Sequence, residues 1–226
     1  MKTLWYLTRS TGAVALVLLT VSVVIGIAAV GRLRTGRWPR FAIDGMHRSS
    51  SLLAVVFLLI HIATSVLDSF APISLADAVI PFAGAYRPLW LGLGAVSFDV
   101  LLAVLITSLL RHRLGHKSWR AVHWLAYAAW PIAFPHGLGS GSDARQAWML
   151  ALDVACLVAV LASIVARVSI GWPARRRLRL GAVGCAAVFL LGLLVWVPIG
   201  PLAPRWASRA GTPASLLAPA MHRRSS

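Results

Sequence analysis

The sequence is poor in charge, and above all in negative charge. Only 12% of its 226 residues are charged, and 6 acidic side chains stand against 22 Lys and Arg. A soluble domain of this size needs far more charge on its surface, and 59% hydrophobic residues exceed what such domains contain. We therefore expect an integral membrane protein that lies almost wholly in the bilayer.

Several common sites and architectures are also missing. The two cysteines, Cys156 and Cys185, lie in apolar runs without C-x-x-C spacing, so we expect small packing side chains and no disulfide framework. No repeat of 20–50 residues is visible, which excludes a solenoid. GLGSGS at 137–142 is a short loop and no dinucleotide fingerprint. We expect no flavin or nicotinamide domain in this chain.

Long apolar runs dominate what remains, and each is long enough to cross about 30 Å of hydrocarbon as a helix. There are six: 12–30, 49–67, 89–110, 121–136, 147–168 and 180–198. The predicted fold is an all-α integral membrane bundle of six transmembrane helices over residues 1–199. A flexible Pro/Ala/Arg-rich tail is predicted over 200–226. The fourth run is the shortest and contains Pro131 and Pro135, which should kink it.

The basic residues orient this bundle, because short loops rich in Lys and Arg stay in the cytoplasm. The connections after the first, third and fifth runs hold 14 of the 22: Arg32, Arg34, Arg37, Arg40, Arg48, Arg111, Arg113, Lys117, Arg120, Arg167, Arg175, Arg176, Arg177 and Arg179. We therefore predict a multi-pass protein of the cytoplasmic membrane with both termini outside. Lys2, Arg9 and the basic tail argue mildly against this orientation. Anchoring to anionic headgroups explains the net charge of +16 better than nucleic-acid binding does.

Four of the seven histidines form two pairs within the spans. His47 and His61 are 14 residues apart on the second run, about 21 Å along a helix, and His123 and His136 are 13 apart on the fourth, about 19.5 Å. The two helices run in the same direction, so His47 can face His123 on the cytoplasmic side. His61 can face His136 on the outer side. We name these the inner pair and the outer pair.

Ionisable side chains in lipid are costly and usually mark function. Zinc and copper sites need three or four close ligands, whereas haem iron needs one axial histidine on each face of the porphyrin. The paired pattern therefore favours two haems. The alternative is a haem-free transporter or scaffold whose histidines hydrogen-bond between helices.

One detail resists the paired pattern. At 100° per residue, 14 residues return to within about 40° of the same face, but 13 leave His136 about 140° away from His123. We expect Pro131 and Pro135 to turn the helix back.

The histidine pairs, with WRAVHWLAY around His123 and PHG around His136, resemble the ferric reductase-like transmembrane domain. That family includes ferric reductases, NADPH oxidases and the haem-binding subunit of the periplasmic methionine-sulfoxide reductase system. The resemblance covers the second to fifth runs, and WYLTRSTG in the first more loosely. It implies that the four histidines are axial ligands of two b-type haems, with His47 and His123 on the inner haem and His61 and His136 on the outer.

Electrons would then cross the membrane from a separate cytoplasmic flavin reductase or a quinol. The acceptor outside would be ferric chelate, oxygen or a partner reductase, which describes an oxidoreductase electron-transfer subunit. Arg9, Arg48, Trp119 and Arg120 are candidates for contacting haem propionates, with anchoring at the interface as the alternative. Asp99 and Asp153 lie within spans, and either proton transfer or hydrogen bonding between helices would explain them.

Overall fold

The structure, a computed structural model, describes residues 2–31, 39–169 and 176–217. Its described part contains helices joined by turns and loops, and no strand. The helices are α1 (Lys2–Gly31), α2 (Arg40–Leu67), α3 (Leu75–Val79), α4 (Pro88–Leu109), α5 (Arg111–His123), α6 (Ala126–Ser140), α7 (Ala147–Ser169), α8 (Arg176–Ile199), α9 (Trp206–Arg209) and α10 (Ala214–Leu217). Of the residues named above, Arg32, Arg34, Arg37, Arg175 and the tail from 218 onward lie outside the described residues.

Five of these helices are long and apolar enough to cross a membrane: α1, α2, α4, α7 and α8. Large apolar side chains are exposed along them, among them Val56, Leu59, Val154, Val188 and Leu194. In water this exposure would be costly, but in a bilayer these side chains face lipid. The chain is a multi-pass helical membrane protein.

The fourth predicted span is two helices and not one. α5 ends at His123, Trp124 and Leu125 form a turn, and α6 continues for 15 residues, about 22 Å. That length is short of the roughly 30 Å of a hydrocarbon core. Six spans are therefore not confirmed, and the break within 121–136 lies at Trp124 and Leu125, before Pro131 and Pro135.

α5 differs from the long helices because most of its length is polar. Residues 111–118 are all exposed, and Gly115 breaks the helix with φ 75°, a left-handed conformation that favours glycine. Only the end of α5, with Trp119 and His123, turns into the bundle.

Two helix pairs form the centre of the bundle. α1 packs along α2 and α4 packs along α6, while α7 packs on α1. An apolar core lies between α1, α6, α7 and α8 and consists of Leu16, Leu19, Trp130, Phe134, Leu138, Cys156, Val160 and Leu193. The buried indole of Trp130 donates to Thr20 Oγ1 at 2.8 Å, which ties α6 to α1 at mid-depth. Cys156 is a packing side chain as expected, whereas Cys185 is exposed.

Residues 200–217 follow α8 and pack on the end of the bundle that holds the outer pair. The buried Arg87 donates to Thr212 Oγ1 at 2.9 Å and to the carbonyl oxygens of Gly139 and Ser140 at 3.1 and 2.9 Å. Trp206 donates to Gly139 O at 3.1 Å. The boundary between a domain at 1–199 and a tail at 200–226 stays a prediction.

Candidate functional site

The four intramembrane histidines come together as the two predicted pairs. The ring centres of His47 and His123 are 6.2 Å apart, and those of His61 and His136 are 6.4 Å apart. In both pairs the ring planes are nearly perpendicular, at 77° and 83°. α2 supplies one member of each pair, and the α5–α6 segment supplies the other.

Three of the imidazoles are held by the backbone of a neighbouring helix. Each donates its Nδ1–H to a carbonyl oxygen: His47 to Ser22 at 3.0 Å, His61 to Thr8 at 2.7 Å and His136 to Trp90 at 2.7 Å. A neutral imidazole that carries its proton on Nδ1 has a free electron pair on Nε2. These bonds therefore fix the tautomer and ring orientation that a metal ligand needs.

A glycine lies one turn beyond each of these carbonyls and leaves room for the ring. A Cβ on Gly26 would lie 3.3 Å from His47 Cε1, one on Gly12 3.0 Å from His61, and one on Gly94 2.5 Å from His136 Cε1. Real Cβ atoms almost never approach another atom within 3.0 Å. We call each carbonyl and glycine, four residues apart, an imidazole seat.

The spacing between the paired rings suits an atom held between them. A metal at about 2.0 Å from two imidazole nitrogens separates the ring centres by roughly 6.3 Å. Two imidazoles joined by a direct hydrogen bond of about 2.9 Å would have ring centres roughly 5 Å apart. The measured spacings match the first arrangement. No cluster of three or more His, Cys, Asp or Glu that would suit a metal occurs among the described residues, so each pair offers two protein ligands of these types.

The joint between α5 and α6 turns His136 part of the way toward the side of His123. Three backbone bonds there span three residues, as in a 3₁₀ helix: Leu125 N to Val122 O, Tyr127 N to Trp124 O and Ala128 N to Leu125 O. A 3₁₀ residue advances about 120° and not 100°, so the three bonds together add about 60° of the roughly 140° that separates the two histidines on a straight helix. This tightened joint lies before the two prolines that were expected to cause the turn.

A cavity of about 290 Å³ adjoins the outer pair. Both His61 and His136 line it, and most of its walls are apolar residues of α1, α2, α4 and α6. Arg9 and Asp143 also line it and form an ion pair. The cavity therefore offers apolar walls, two imidazoles and a charged mouth.

The remaining candidate residues are placed differently from one another. Arg9 lies 3.8 Å from the centre of the Trp5 ring, in addition to its ion pair. Arg48 and Arg120 are exposed next to the inner pair. Trp119 stacks on His123, with ring centres 5.0 Å apart and 28° between the planes. Their role at a cofactor stays a prediction.

The two intramembrane aspartates also differ. Asp153 is buried in α7, with 5% of its surface exposed, and its Oδ2 has no hydrogen-bond partner among the described residues. Asp99 on α4 is half-buried. Neither lines the cavity beside the outer pair.

Our interpretation of the sequence missed the imidazole seats. A signal for two of them is present in α1, where the separation of Gly12 and Gly26 along the chain equals that of His47 and His61 on α2. Because α1 and α2 pack side by side in opposite directions, matched spacings bring two glycines under two histidines. Arg87 was also missed, since its partners are backbone carbonyls more than 50 residues away.

The comparisons with known proteins bear on the region that holds the histidines. No match to the chain was found among curated proteins or among solved structures. A family model described as "Ferric reductase like transmembrane component" matches residues 11–134, more than half of the chain, and includes His47, His61 and His123. The family suggested by the spacing of the histidines is thus confirmed, and the chain belongs to the ferric reductase like transmembrane component family.

Proposed function

We propose that this membrane electron-transfer component carries electrons between two b-type haems stacked across the bilayer. The inner haem would be held by His47 and His123, and the outer by His61 and His136. The family membership supports a redox role in the membrane, and the two ligand layers go beyond it.

One observation carries the proposal: both ring pairs have the separation of two imidazoles that share a metal, at 6.2 and 6.4 Å. The two layers have nearly the same separation. His136 lies two residues beyond the matched region, so its assignment depends on this geometry.

The chain's own residues would position and shield the cofactors. The seats at Thr8/Gly12, Ser22/Gly26 and Trp90/Gly94 orient three ligands, and the apolar helix faces exclude water from them. A haem held between two such histidines would supply one-electron transfer. The protein would therefore transfer electrons while the histidine ligands stay in place.

The donor and the acceptor are part of the proposal at the level of chemical class. The exposed basic residues of α5, Arg111, Arg113, Lys117 and Arg120, lie on the same helix as the inner ligand His123. This surface suits a cytoplasmic flavin reductase with an acidic face better than it suits membrane quinol. On the outer side, ferric chelate, oxygen or a partner reductase would accept the electrons.

A reduced-minus-oxidised spectrum of the purified protein tests the proposal. We expect a sharp b-type α band and a haem-to-protein ratio near two by pigment extraction. A protein purified from haem-sufficient cells that has neither band nor pigment would instead be a haem-free transporter or scaffold.

Single ligand variants test the two layers. We expect His61→Ala and His136→Ala each to remove the outer haem and leave the inner one, which halves the haem content. His112→Ala is the matched control, because His112 is exposed on α5. Equal loss of both haems from a folded His61→Ala protein would contradict the assignment.

A further inference from the structure

The three imidazole seats have the same spacing between carbonyl and glycine. In each, the carbonyl belongs to residue n and the glycine to residue n+4: Thr8 with Gly12, Ser22 with Gly26, and Trp90 with Gly94. The two seats on α1 repeat the spacing of His47 and His61, and they serve both layers. The seat on α4 serves only the outer layer.

A fourth seat is missing where α4 passes the inner pair. The two seats of α1 are 14 residues apart. Fourteen residues beyond Trp90 and Gly94 on α4 lie Val104 and Ser108. Ser108 has a side chain where the other seats have only hydrogen. His123, the histidine that this seat would serve, has a buried Nδ1 without a hydrogen-bond partner in the described part of the chain.

Trp119 contacts both His123 and Ser108 at this position. Its ring stacks on the His123 imidazole, with centres 5.0 Å apart and planes 28° from parallel. Its indole Nε1–H donates to Ser108 Oγ at 3.2 Å. Trp119 lies one helical turn before His123 on α5, so both side chains project from the same face.

We propose that Trp119, held in place by Ser108, is the positioning residue for His123 and substitutes for the carbonyl and glycine that orient the other three histidines. This inference rests on the proposed function, because it assigns a role within the inner haem site. Stacking fixes the plane of the ring but supplies no acceptor to Nδ1. His123 is then a less basic ligand than the other three, and the inner haem depends on a contact that the outer haem lacks.

The test uses the full-length protein in detergent or nanodiscs and a reductive titration that resolves two haem components. The component that disappears in His61→Ala is assigned to the outer haem. We expect Trp119→Ala to weaken retention of the inner haem by about tenfold or more, measured as transfer to excess apomyoglobin. The midpoint potential of the outer component should be unchanged.

Conservative variants separate positioning from a general packing role. Trp119→Phe keeps the stack and loses the N–H, and Ser108→Ala loses the acceptor. Each should shift the midpoint potential of the inner component alone, and the double variant should shift it no further than either single variant. Trp124→Ala is the matched control, because Trp124 is an exposed tryptophan next to His123.

Three results would overturn the inference. They are an inner component that Trp119→Ala leaves unchanged, equal shifts of both components, and additive effects of Trp119→Phe and Ser108→Ala. A wild-type protein without haem would instead overturn the proposed function and this inference with it. A wild type with two components and a silent Trp119→Ala variant overturns only the inference.

Discussion

At the scale of single residues, three glycines determine how closely a neighbouring helix approaches the histidines. A methyl group on Gly94 would lie 2.5 and 2.6 Å from Cε1 and Nδ1 of His136, whereas one on Gly26 would lie 3.3 Å from His47. Gly12, at 3.0 Å from His61, lies between these limits. The ring must shift most where the clash is greatest, and a shifted ring loses its carbonyl bond.

Glycine-to-alanine variants should therefore have graded effects. We expect Gly94→Ala to lose most of the outer haem, Gly12→Ala to lose part of it, and Gly26→Ala to leave inner haem content nearly unchanged. The measurement is haem content per purified protein.

Gly184→Ala is the matched control, because nothing lies within 4 Å of that position on α8. Alanine is the better helix former by about 1 kcal/mol, so this variant should be neutral or slightly more stable. A Gly94→Ala protein with full haem content would contradict the role of the glycine.

At the scale of elements, the C-terminal turn of α6 determines where His136, the proposed outer ligand, lies. The last carbonyls of a helix have no partner within it, and those of Gly139 and Ser140 accept from the Arg87 guanidinium. Arg87 also holds Thr212, so one buried side chain joins α4, α6 and the segment after α8.

Arg87→Met should loosen all three elements at once. A hydrogen bond from a charged donor contributes about 1.5–3 kcal/mol, so we expect a loss of at least 3 kcal/mol. For a protein of this size, that corresponds to a fall in Tm of roughly 6–12 °C in a fluorescence-monitored melt.

Limited proteolysis should also cleave the segment after α8 faster in the Arg87→Met protein. Arg209→Met is the control, since that arginine is exposed and its hydrogen bond to Pro204 O is long, at 3.3 Å. Equal Tm values for the two variants would contradict the role of Arg87 in joining α4, α6 and the segment after α8.

At the scale of the whole molecule, the orientation depends on whether the α5–α6 segment crosses the bilayer. The five long helices alone would place the two termini on opposite sides, and a sixth crossing by α6 would place them on the same side. The paired histidines favour the crossing, because His123 and His136 reach the same two depths as His47 and His61.

A reporter fusion at the C-terminus tests the predicted orientation. We expect alkaline phosphatase to be active after Ser226 and green fluorescent protein at the same position to be dark after export. An inactive phosphatase after Ser226 would contradict an outer C-terminus.

The charge distribution gives a second prediction at this scale. Arg111, Arg113 and Lys117 are exposed on α5, and screening weakens charges that lie more than about 10 Å apart at 0.1 M salt. We expect their triple reversal to Glu to slow haem reduction by reduced flavodoxin, an acidic flavoprotein, at least tenfold in low salt.

The rates of haem reduction in the wild-type protein and the triple Glu variant should converge at high ionic strength. Arg176→Glu/Arg177→Glu is the matched control, because these exposed arginines at the start of α8 are also predicted to be cytoplasmic. Equal slowing in both proteins would point to general surface charge and not to docking on α5.

The sequence by itself determined the membrane class, the helical fold, the family and the two histidine pairs. These features follow from local composition and from spacings along one helix, which the constant rise per residue of an α-helix converts into depth. The position of the α5–α6 joint did not follow from them. Pro131 and Pro135 predicted a turn at their own positions, whereas the 3₁₀ turn forms before them.

Only the tertiary structure decided how each histidine is held. A seat is a backbone carbonyl and an absent side chain on another helix, and neither is visible in the residues around the histidine itself. The missing seat at Ser108 and the hydrogen bonds of Arg87 likewise depend on which helices lie side by side. The spacing of residues along one helix sets their depth in the bilayer. The rotation of each helix and the contacts of its side chains are set by the packing of several helices against one another.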